Sequence, residues 1–205
     1  FWHLNKKTKM NIFQQSFKSK NLLSPISRGI GKGRFFVVLL LSLLSCAGQT
    51  EQFYANLPAR FRVQYVQTIP PLNAALNSMG EFATITQRTN VYIYSNTQTS
   101  TQRPVTDADR NYMGLSGFIV GLPNIPPLGS SVSQVVCYDL ACPNCYEEQV
   151  VTREMQLQAG GKCYCRLCQR TYDLNNQGYV TSGTPGKSLY RYRVTYQNNT
   201  LLINN

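Results

Sequence analysis

The sequence predicts an all-β domain, and three observations lead to that expectation. Short runs that alternate apolar with polar residues, or that are rich in β-branched and aromatic residues, recur between residues 61 and 203, as in half-buried strands. Turn-forming pairs such as Pro70-Pro71 and Asn198-Asn199 separate these runs. The chain of 205 residues also contains 13 tyrosines, and tyrosine favours strands.

Strands are expected, in chain order, over residues 61–66, 82–86, 91–94, 117–120, 135–140, 190–196 and 200–203. Only residues 71–77 have a composition that suits a short helix. Residues 95–112 are rich in serine, threonine and glutamine, so we expect a mobile loop there.

Charge divides the chain into a leader and a body. The whole chain carries 20 basic and 9 acidic residues, a net charge of +11. Eight of the basic residues and none of the acidic ones lie in residues 1–45, which leaves a net charge of +3 for the body. Because the body has no cluster of lysine and arginine interleaved with aromatic residues, the sequence predicts no nucleic-acid partner.

The leader has the features of a bacterial export signal. Its apolar run, residues 35–45, is 11 residues long, which is typical of a signal peptide and shorter than the ~20 residues of a membrane-spanning helix. The run ends in Leu-Leu-Ser-Cys46, which resembles a lipobox. We therefore expect a signal peptide over 1–45, with Met10 as an alternative start, a lipid on Cys46, and a polar tether over 46–60. An ordinary signal peptide or an uncleaved anchor, with an incidental Cys46, is the alternative.

Four cysteines have the spacing of a metal site. Cys142 and Cys145 form one C-x-x-C unit, and Cys165 and Cys168 form a second unit after 19 intervening residues. This spacing is typical of zinc sites, because such a tight knuckle places both sulfurs about 2.3 Å from one ion and two knuckles complete a tetrahedron. Disulfides among the four cysteines are the alternative, since an exported protein meets an oxidising environment.

Two further cysteines, Cys137 and Cys163, lie at the ends of strand-like runs that enter the two knuckles. We expect a Cys137–Cys163 disulfide between these strands. Two separate cysteines that are buried as small apolar residues are the alternative.

The segment 165–174 (CRLCQRTYDL) resembles the second cluster-binding segment of Rieske proteins, with Cys168 in place of a histidine and Tyr172-Asp173 as the family's aromatic-Asp pair. Residues 136–143 and 178–192 are similar to the stretches before and after the family's cluster. The resemblance implies a Rieske-like antiparallel β-sandwich or barrel over 61–205. A small zinc-ribbon-like subdomain at 137–173 would carry the metal-binding knuckles.

One departure from the family concerns the cofactor. A Rieske [2Fe–2S] cluster has two histidine ligands, but His3 in the leader is the only histidine of the chain. Four thiolates suit zinc, an all-cysteine [2Fe–2S] cluster or a mononuclear iron. We expect zinc, because the C-P-x-C unit of the first knuckle is common in zinc sites. Its role would be structural, because four cysteines leave no position for a bound water.

No group of residues predicts catalysis, because the body has no histidine to act as a base for a serine or cysteine nucleophile. Glu147 and Glu148 are expected in a solvated turn. Arg166 and Arg170, which flank the second knuckle, are expected to be surface charges; steering of an acidic partner or tuning of the thiolates is the alternative. The sequence thus predicts a lipoprotein of the bacterial cell envelope, anchored to the membrane and facing the periplasm or the exterior. It would bind an envelope protein partner, and an electron carrier with an iron–sulfur centre is the alternative.

Overall fold

The computed structural model of the chain describes residues 54–106, 111–126 and 131–205. The predicted signal peptide, the alternative start at Met10 and the lipidated Cys46 lie outside the described residues. The described part is mostly β structure, with two helices, α1 (Pro70–Asn77) and α2 (Pro143–Gln149), and a 3-10 turn at Val66–Thr68. Its strands are β1 (Ala59–Val63), β2 (Phe82–Arg88), β3 (Val91–Ser95), β4 (Ser100–Pro104), β5 (Tyr112–Met113), β6 (Phe118–Gly121), β7 (Val136–Asp139), β8 (Gln156–Gln158), β9 (Lys162–Tyr164), β10 (Thr171–Asp173), β11 (Tyr179–Ser182), β12 (Arg191–Gln197) and β13 (Thr200–Asn204).

These strands form two antiparallel sheets. The larger sheet has nine strands in the order β4-β3-β2-β6-β7-β12-β13-β1-β5, and the smaller sheet has four in the order β11-β10-β9-β8. The prediction of a mostly antiparallel β domain is therefore confirmed. The helix expected at 71–77 is confirmed as α1, whereas α2 was not expected from the sequence.

The alternating sequence of β1 explains how the larger sheet is built. Phe61 is buried while Arg60 and Arg62 are exposed, because successive side chains of a strand point to opposite faces. Phe61 packs edge-on against Tyr92, with 5.3 Å between the ring centroids. Since β1 stands eighth and β3 second in the sheet order, this contact means that the sheet curls until its two ends approach each other.

Aromatic side chains fill the interior of the curled sheet. Phe118 packs edge-on against Tyr192 at 5.4 Å and lies 6.0 Å from Phe61. Such pairs each contribute about 0.5–1.5 kcal/mol beyond the area they bury. The four cysteines of the two knuckles do not belong to this core.

Two strands of the larger sheet also support the smaller one. β6 and β7 are buried along their whole length, because a core lies on each of their faces. Phe118 and Cys137 point into the aromatic core, whereas Ile119 and Tyr138 point into a second core, which contains Tyr172 and the knuckle cysteines. The smaller sheet is thus packed against the outer face of the larger one.

The expectation of a mobile loop over residues 95–112 was wrong in part. β4 lies in this segment and pairs with β3 over its full length, from Ser95↔Ser100 to Val91↔Pro104. β4 is an edge strand whose side chains are exposed or half-buried, so backbone pairing holds it in place and its sequence needs no apolar face.

Candidate metal centre

The four knuckle cysteines converge on one point between α2 and the smaller sheet. Cys142 precedes the first turn of α2 and Cys145 lies within that turn. Cys165 and Cys168 lie in the turn that joins β9 to β10. The four sulfur atoms all lie within 4.8 Å of one another, so these residues form a group that could hold a metal ion.

The sulfur distances suit a single ion better than disulfides. Cys142 Sγ is 3.5 Å from Cys168 Sγ, and Cys145 Sγ is 3.6 Å from Cys165 Sγ. A disulfide bond is about 2.05 Å long, whereas sulfurs placed about 2.3 Å from one tetrahedral ion are about 3.8 Å apart. All four residues are free cysteines in the structure. Each close pair joins one cysteine from each knuckle, which is how two knuckles enclose a shared ion.

Local backbone geometry builds each knuckle. Pro143 follows Cys142 at the first helical position, where the fixed φ of proline suits the helix and its missing N–H costs nothing. In the second knuckle, Gln169 adopts a left-handed backbone with φ 58°, and its N–H donates to Cys165 O at 2.9 Å. This tight turn returns the chain to β10 and leaves Cys165 buried and Cys168 partly exposed.

A tyrosine and an asparagine support the first knuckle. The Asn144 side-chain amide donates to the Tyr172 hydroxyl at 2.9 Å, and that hydroxyl lies 3.1 Å from Cys142 Sγ. Because the hydroxyl oxygen accepts from Asn144, its own proton is available to Cys142 Sγ. Asn144 also bonds the backbone of Lys187 through both of its side-chain atoms, at 2.9 Å each. A cysteine sulfur is thereby linked through two buried side chains to the loop before β12.

Arg170 contacts the second knuckle, and the expectation that it is a surface charge was wrong. Its side chain is buried, with 5 % of the residue exposed, and it donates to Glu148 at 2.9 Å and to Thr184 O at 2.9 Å. Burial disfavours a charged Cys168, but hydrogen bonds from the backbone and guanidinium of Arg170, together with those from Cys142 and Cys165, outweigh burial and lower the pKa of Cys168 to about 7. Arg170 therefore favours the thiolate that a metal requires.

In the first knuckle, the thiols of Cys142 and Cys145 are protonated before a metal binds. Burial raises the pKa of Cys142 to about 11, against the opposing hydrogen bond from Tyr172. Burial, together with hydrogen bonds to the neighbouring sulfurs, also raises the pKa of Cys145 well above its usual value. Metal binding must therefore displace protons from these two residues.

The predicted Cys137–Cys163 disulfide is absent, and this expectation was wrong. Both residues are free and fully buried. Cys137 lies in the aromatic core of the larger sheet, and Cys163 lies in the second core beside Tyr172. The two strand-like runs that suggested a bridge belong to different sheets, β7 and β9, so both cysteines act as small apolar residues.

Glu147 and Glu148 lie on α2 and not in a turn. Glu147 accepts from Lys187 and from the Tyr190 hydroxyl, both at 2.6 Å, and Glu148 accepts from Arg170. These interactions tie α2 to the neighbouring loop and knuckle, so the two carboxylates have structural partners.

Sequence reasoning favoured a surface charge for Arg170 over tuning of the thiolates, and it predicted no contact of Tyr172 or Asn144 with a cysteine. Two signals were present in the sequence. Arg170 and Tyr172 lie two and four residues after Cys168, close enough in the chain to reach the second knuckle. Asn144 lies inside the first C-x-x-C unit. Only the folded chain shows that all three residues reach the cysteine group or its neighbours.

Comparison with protein-family models, curated proteins and solved structures finds no match for this chain. Neither helix of the described residues is long and apolar enough to cross a membrane.

Proposed function

We propose that this chain is a membrane-anchored lipoprotein of the bacterial envelope, with a Rieske-like β domain whose four-cysteine site holds a structural zinc ion. Its role would be to bind an envelope partner. The convergence of four cysteine sulfurs within 4.8 Å carries the metal-binding part of this proposal. The anchor rests on the sequence before residue 54, where an apolar run is followed by Cys46.

The sulfur geometry favours one ion over a two-iron cluster. A [2Fe–2S] cluster distributes its four thiolates over two irons, so thiolates on different irons lie further apart than thiolates on one tetrahedral ion. Here all four sulfurs lie within 4.8 Å of one another, so no two of them have the wider separation expected across a two-iron cluster. Such sulfurs suit an S₄ tetrahedron around zinc.

A structural role follows from the ligand set. Four thiolates leave no coordination position for water, and three of the four cysteines are fully buried. Zinc bound in this way contributes to folding and not to catalysis.

The Rieske-like part of the proposal is supported by the division into two sheets. The smaller sheet and α2 carry both knuckles, as the resemblance implies for a metal-binding subdomain, and the larger sheet supports them. In this proposal Cys168 occupies the place of the family's second cluster histidine, and Cys145 stands in for the first one residue late, because Asn144 occupies the usual position.

An electron carrier is the second candidate, because the same tetrahedron suits a single iron. Cys168 is only partly buried, and the neighbouring Leu167 is 43 % exposed. One edge of the site therefore lies close to the surface, where electrons could pass to a partner protein.

Metal analysis and an absorbance spectrum of the protein, purified without air, test the proposal. We expect one zinc ion per chain and no colour, and we expect a Cys145→Ser variant to lose the metal. Iron with visible bands that bleach on reduction would replace structural zinc with the electron carrier. Absence of any metal, with thiols that resist alkylation until they are reduced, would contradict both candidates.

A further inference from the structure

A groove of about 970 Å³ lies where β2 of the larger sheet meets β8 of the smaller sheet. Its volume is at the upper end of the range of ligand sites. Thr84 and Thr86 of β2 line the groove, and so does Leu157 of β8. The lining residues all lie within the described ranges, and none of them borders an undescribed segment.

The second knuckle forms part of the wall of this groove. Arg166 and Leu167 are the two residues between Cys165 and Cys168, and both line the groove. Both are exposed, so a ligand can contact their side chains. None of the four knuckle cysteines lines the groove. The groove therefore lies beside the candidate metal centre and is separate from it.

Positive charge predominates in the lining. Arg88, Arg153 and Arg166 line the groove, and Glu154 is the one acidic residue that does so among the described residues. Both carboxylate oxygens of Glu154 accept from Arg88 at 2.6 Å, so the charges of this pair cancel. In the described part of the chain, no ion pair joins Arg153 or Arg166 to an acid. Because guanidinium groups bind carboxylates through paired hydrogen bonds, these two arginines favour a ligand that carries carboxylates.

The fold restrains both arginines before any ligand binds. The N–H of Cys142 donates to the backbone oxygen of Arg153 at 2.9 Å, which holds the backbone of Arg153 against the start of the first knuckle. The Nε of Arg166 donates to Gln156 Oε1 at 2.7 Å. This bond orients the guanidinium while using only one of its three nitrogens. A side chain that is already oriented loses less conformational entropy when it binds a ligand.

Apolar side chains beside the arginines narrow the class of ligand. Leu167 is 43 % exposed, and Leu157 is half-buried. Leu140 and Met155 form a buried part of the lining. Single-stranded nucleic acids stack their bases on aromatic rings, and sugar faces pack on such rings as well, but no aromatic residue of the described ranges lines the groove. Arginines next to leucines therefore suit an acidic peptide better than a saccharide or a nucleic acid.

We propose that this groove binds an acidic peptide segment of the envelope partner. Aspartate or glutamate carboxylates of the segment bind Arg153 and Arg166, and a neighbouring apolar side chain packs against Leu167. This inference rests on the partner-binding part of the proposed function and names the chemistry that the partner presents. It does not depend on which metal the cysteine group holds.

Titration calorimetry of the protein with four probes tests this site. The first probe is a blocked peptide that alternates glutamate with leucine. The second has glutamine in place of glutamate, the third has serine in place of leucine, and the fourth is sulfated lactose. We expect the first peptide to bind at one site and the glutamine peptide to bind at least about tenfold more weakly. Failure of the first peptide to bind, or equal binding of the glutamine peptide, would overturn the proposal. Stronger binding of sulfated lactose would also overturn it, in favour of an anionic saccharide.

Variants of exposed residues locate the binding. Arg153→Gln and Arg166→Gln should each weaken the first peptide about tenfold. Leu167→Ser should weaken the first peptide and leave the affinity for the serine peptide unchanged, because Leu167 contacts the apolar side chain and not the carboxylates. Arg62→Gln is the matched control, since Arg62 is exposed on β1 and does not line the groove. An equal loss of affinity in Arg62→Gln would show general attraction to a basic protein and would overturn the site.

Metal content is measured on every sample, so failure of this site can be distinguished from failure of the zinc proposal. A protein that holds its zinc ion but does not bind the first peptide would overturn the groove alone. A protein that binds the first peptide without zinc would support the groove and overturn the structural zinc.

Discussion

The two sheets of this domain have different sources of stability. The larger sheet contains strands of up to seven residues, such as β2 and β12, and its interior is filled with aromatic and aliphatic side chains. The strands of the smaller sheet have only three or four residues, and four thiols converge between them and α2. Small units with little apolar surface gain stability from a metal or from disulfides. We therefore expect the larger sheet to fold on its apolar core alone, and the smaller sheet to depend on metal binding by its cysteines in addition to the second core.

Loss of one cysteine ligand is expected to have the largest effect. Cys145→Ser should destabilise the region of the smaller sheet by at least ~3 kcal/mol, because metal binding and folding of the site are coupled. Hydrogen exchange should show faster exchange in β9 and β10, with protection retained in β2 and β12. Equal loss of protection in both sheets would show that the two sheets do not differ in their source of stability.

Cys163→Ala provides the matched control for this variant. Cys163 is as deeply buried as Cys145 and lies two residues from a ligand, but it is not one of the four converging cysteines. We expect the variant to retain its metal and to lose only about 1 kcal/mol of stability from the small cavity it creates.

The metal affinity of the smaller sheet is expected to depend steeply on pH. The raised pKa values of Cys142 and Cys145 keep both thiols protonated at neutral pH, and Cys168, with a pKa of about 7, is protonated in part. Binding must therefore displace at least two protons, and affinity must fall as pH falls. The apparent zinc affinity should rise at least about a hundredfold per pH unit between pH 6 and 8. Competition with a chelator of known pH dependence measures this slope. A slope of zero would contradict the assignment of these residues as ligands.

Substitution of Arg170 tests whether a buried charge also supports metal binding beside the smaller sheet. Arg170→Gln should weaken metal binding about tenfold to a hundredfold, because the Cys168 thiolate loses its cationic partner and the pKa of Cys168 rises. Arg166→Gln is the control, since Arg166 lies in the same knuckle but is exposed and donates to Gln156. If both variants bound metal as the parent does, Arg170 would have no role in the site.

The smallest effect is expected from the hydroxyl of Tyr172. Tyr172→Phe keeps the ring and removes one hydrogen bond to Cys142, so metal affinity should fall up to about tenfold. Asn144 stays paired through Lys187 O. Tyr138→Phe is the control, because it removes another buried hydroxyl bond, to Leu174 O at 3.3 Å, without touching sulfur. Equal metal affinities in the two variants would mean that Tyr172 acts only through packing.

Several features of this chain could be predicted from the local pattern of its residues alone. The C-x-x-C spacing identified Cys142, Cys145, Cys165 and Cys168 as one group, because a knuckle depends only on neighbouring residues. The alternation in β1 and the composition of α1 predicted those elements for the same reason. β4 was missed because a polar edge strand has no apolar face to reveal it.

Other features depend on how distant segments pack, and only the tertiary structure decided them. Cys137 and Cys163 have similar positions relative to their knuckles, yet they lie in separate cores because β7 and β9 belong to different sheets. Arg170 is a charged residue that sequence places at the surface, but the fold buries it beside Cys168 and Glu148. The contact between Phe61 of β1 and Tyr92 of β3 exists because the larger sheet curls and brings its two ends together. Local sequence determines strand faces and knuckles through short-range geometry, whereas contacts between segments far apart in the chain depend on the packing of whole sheets.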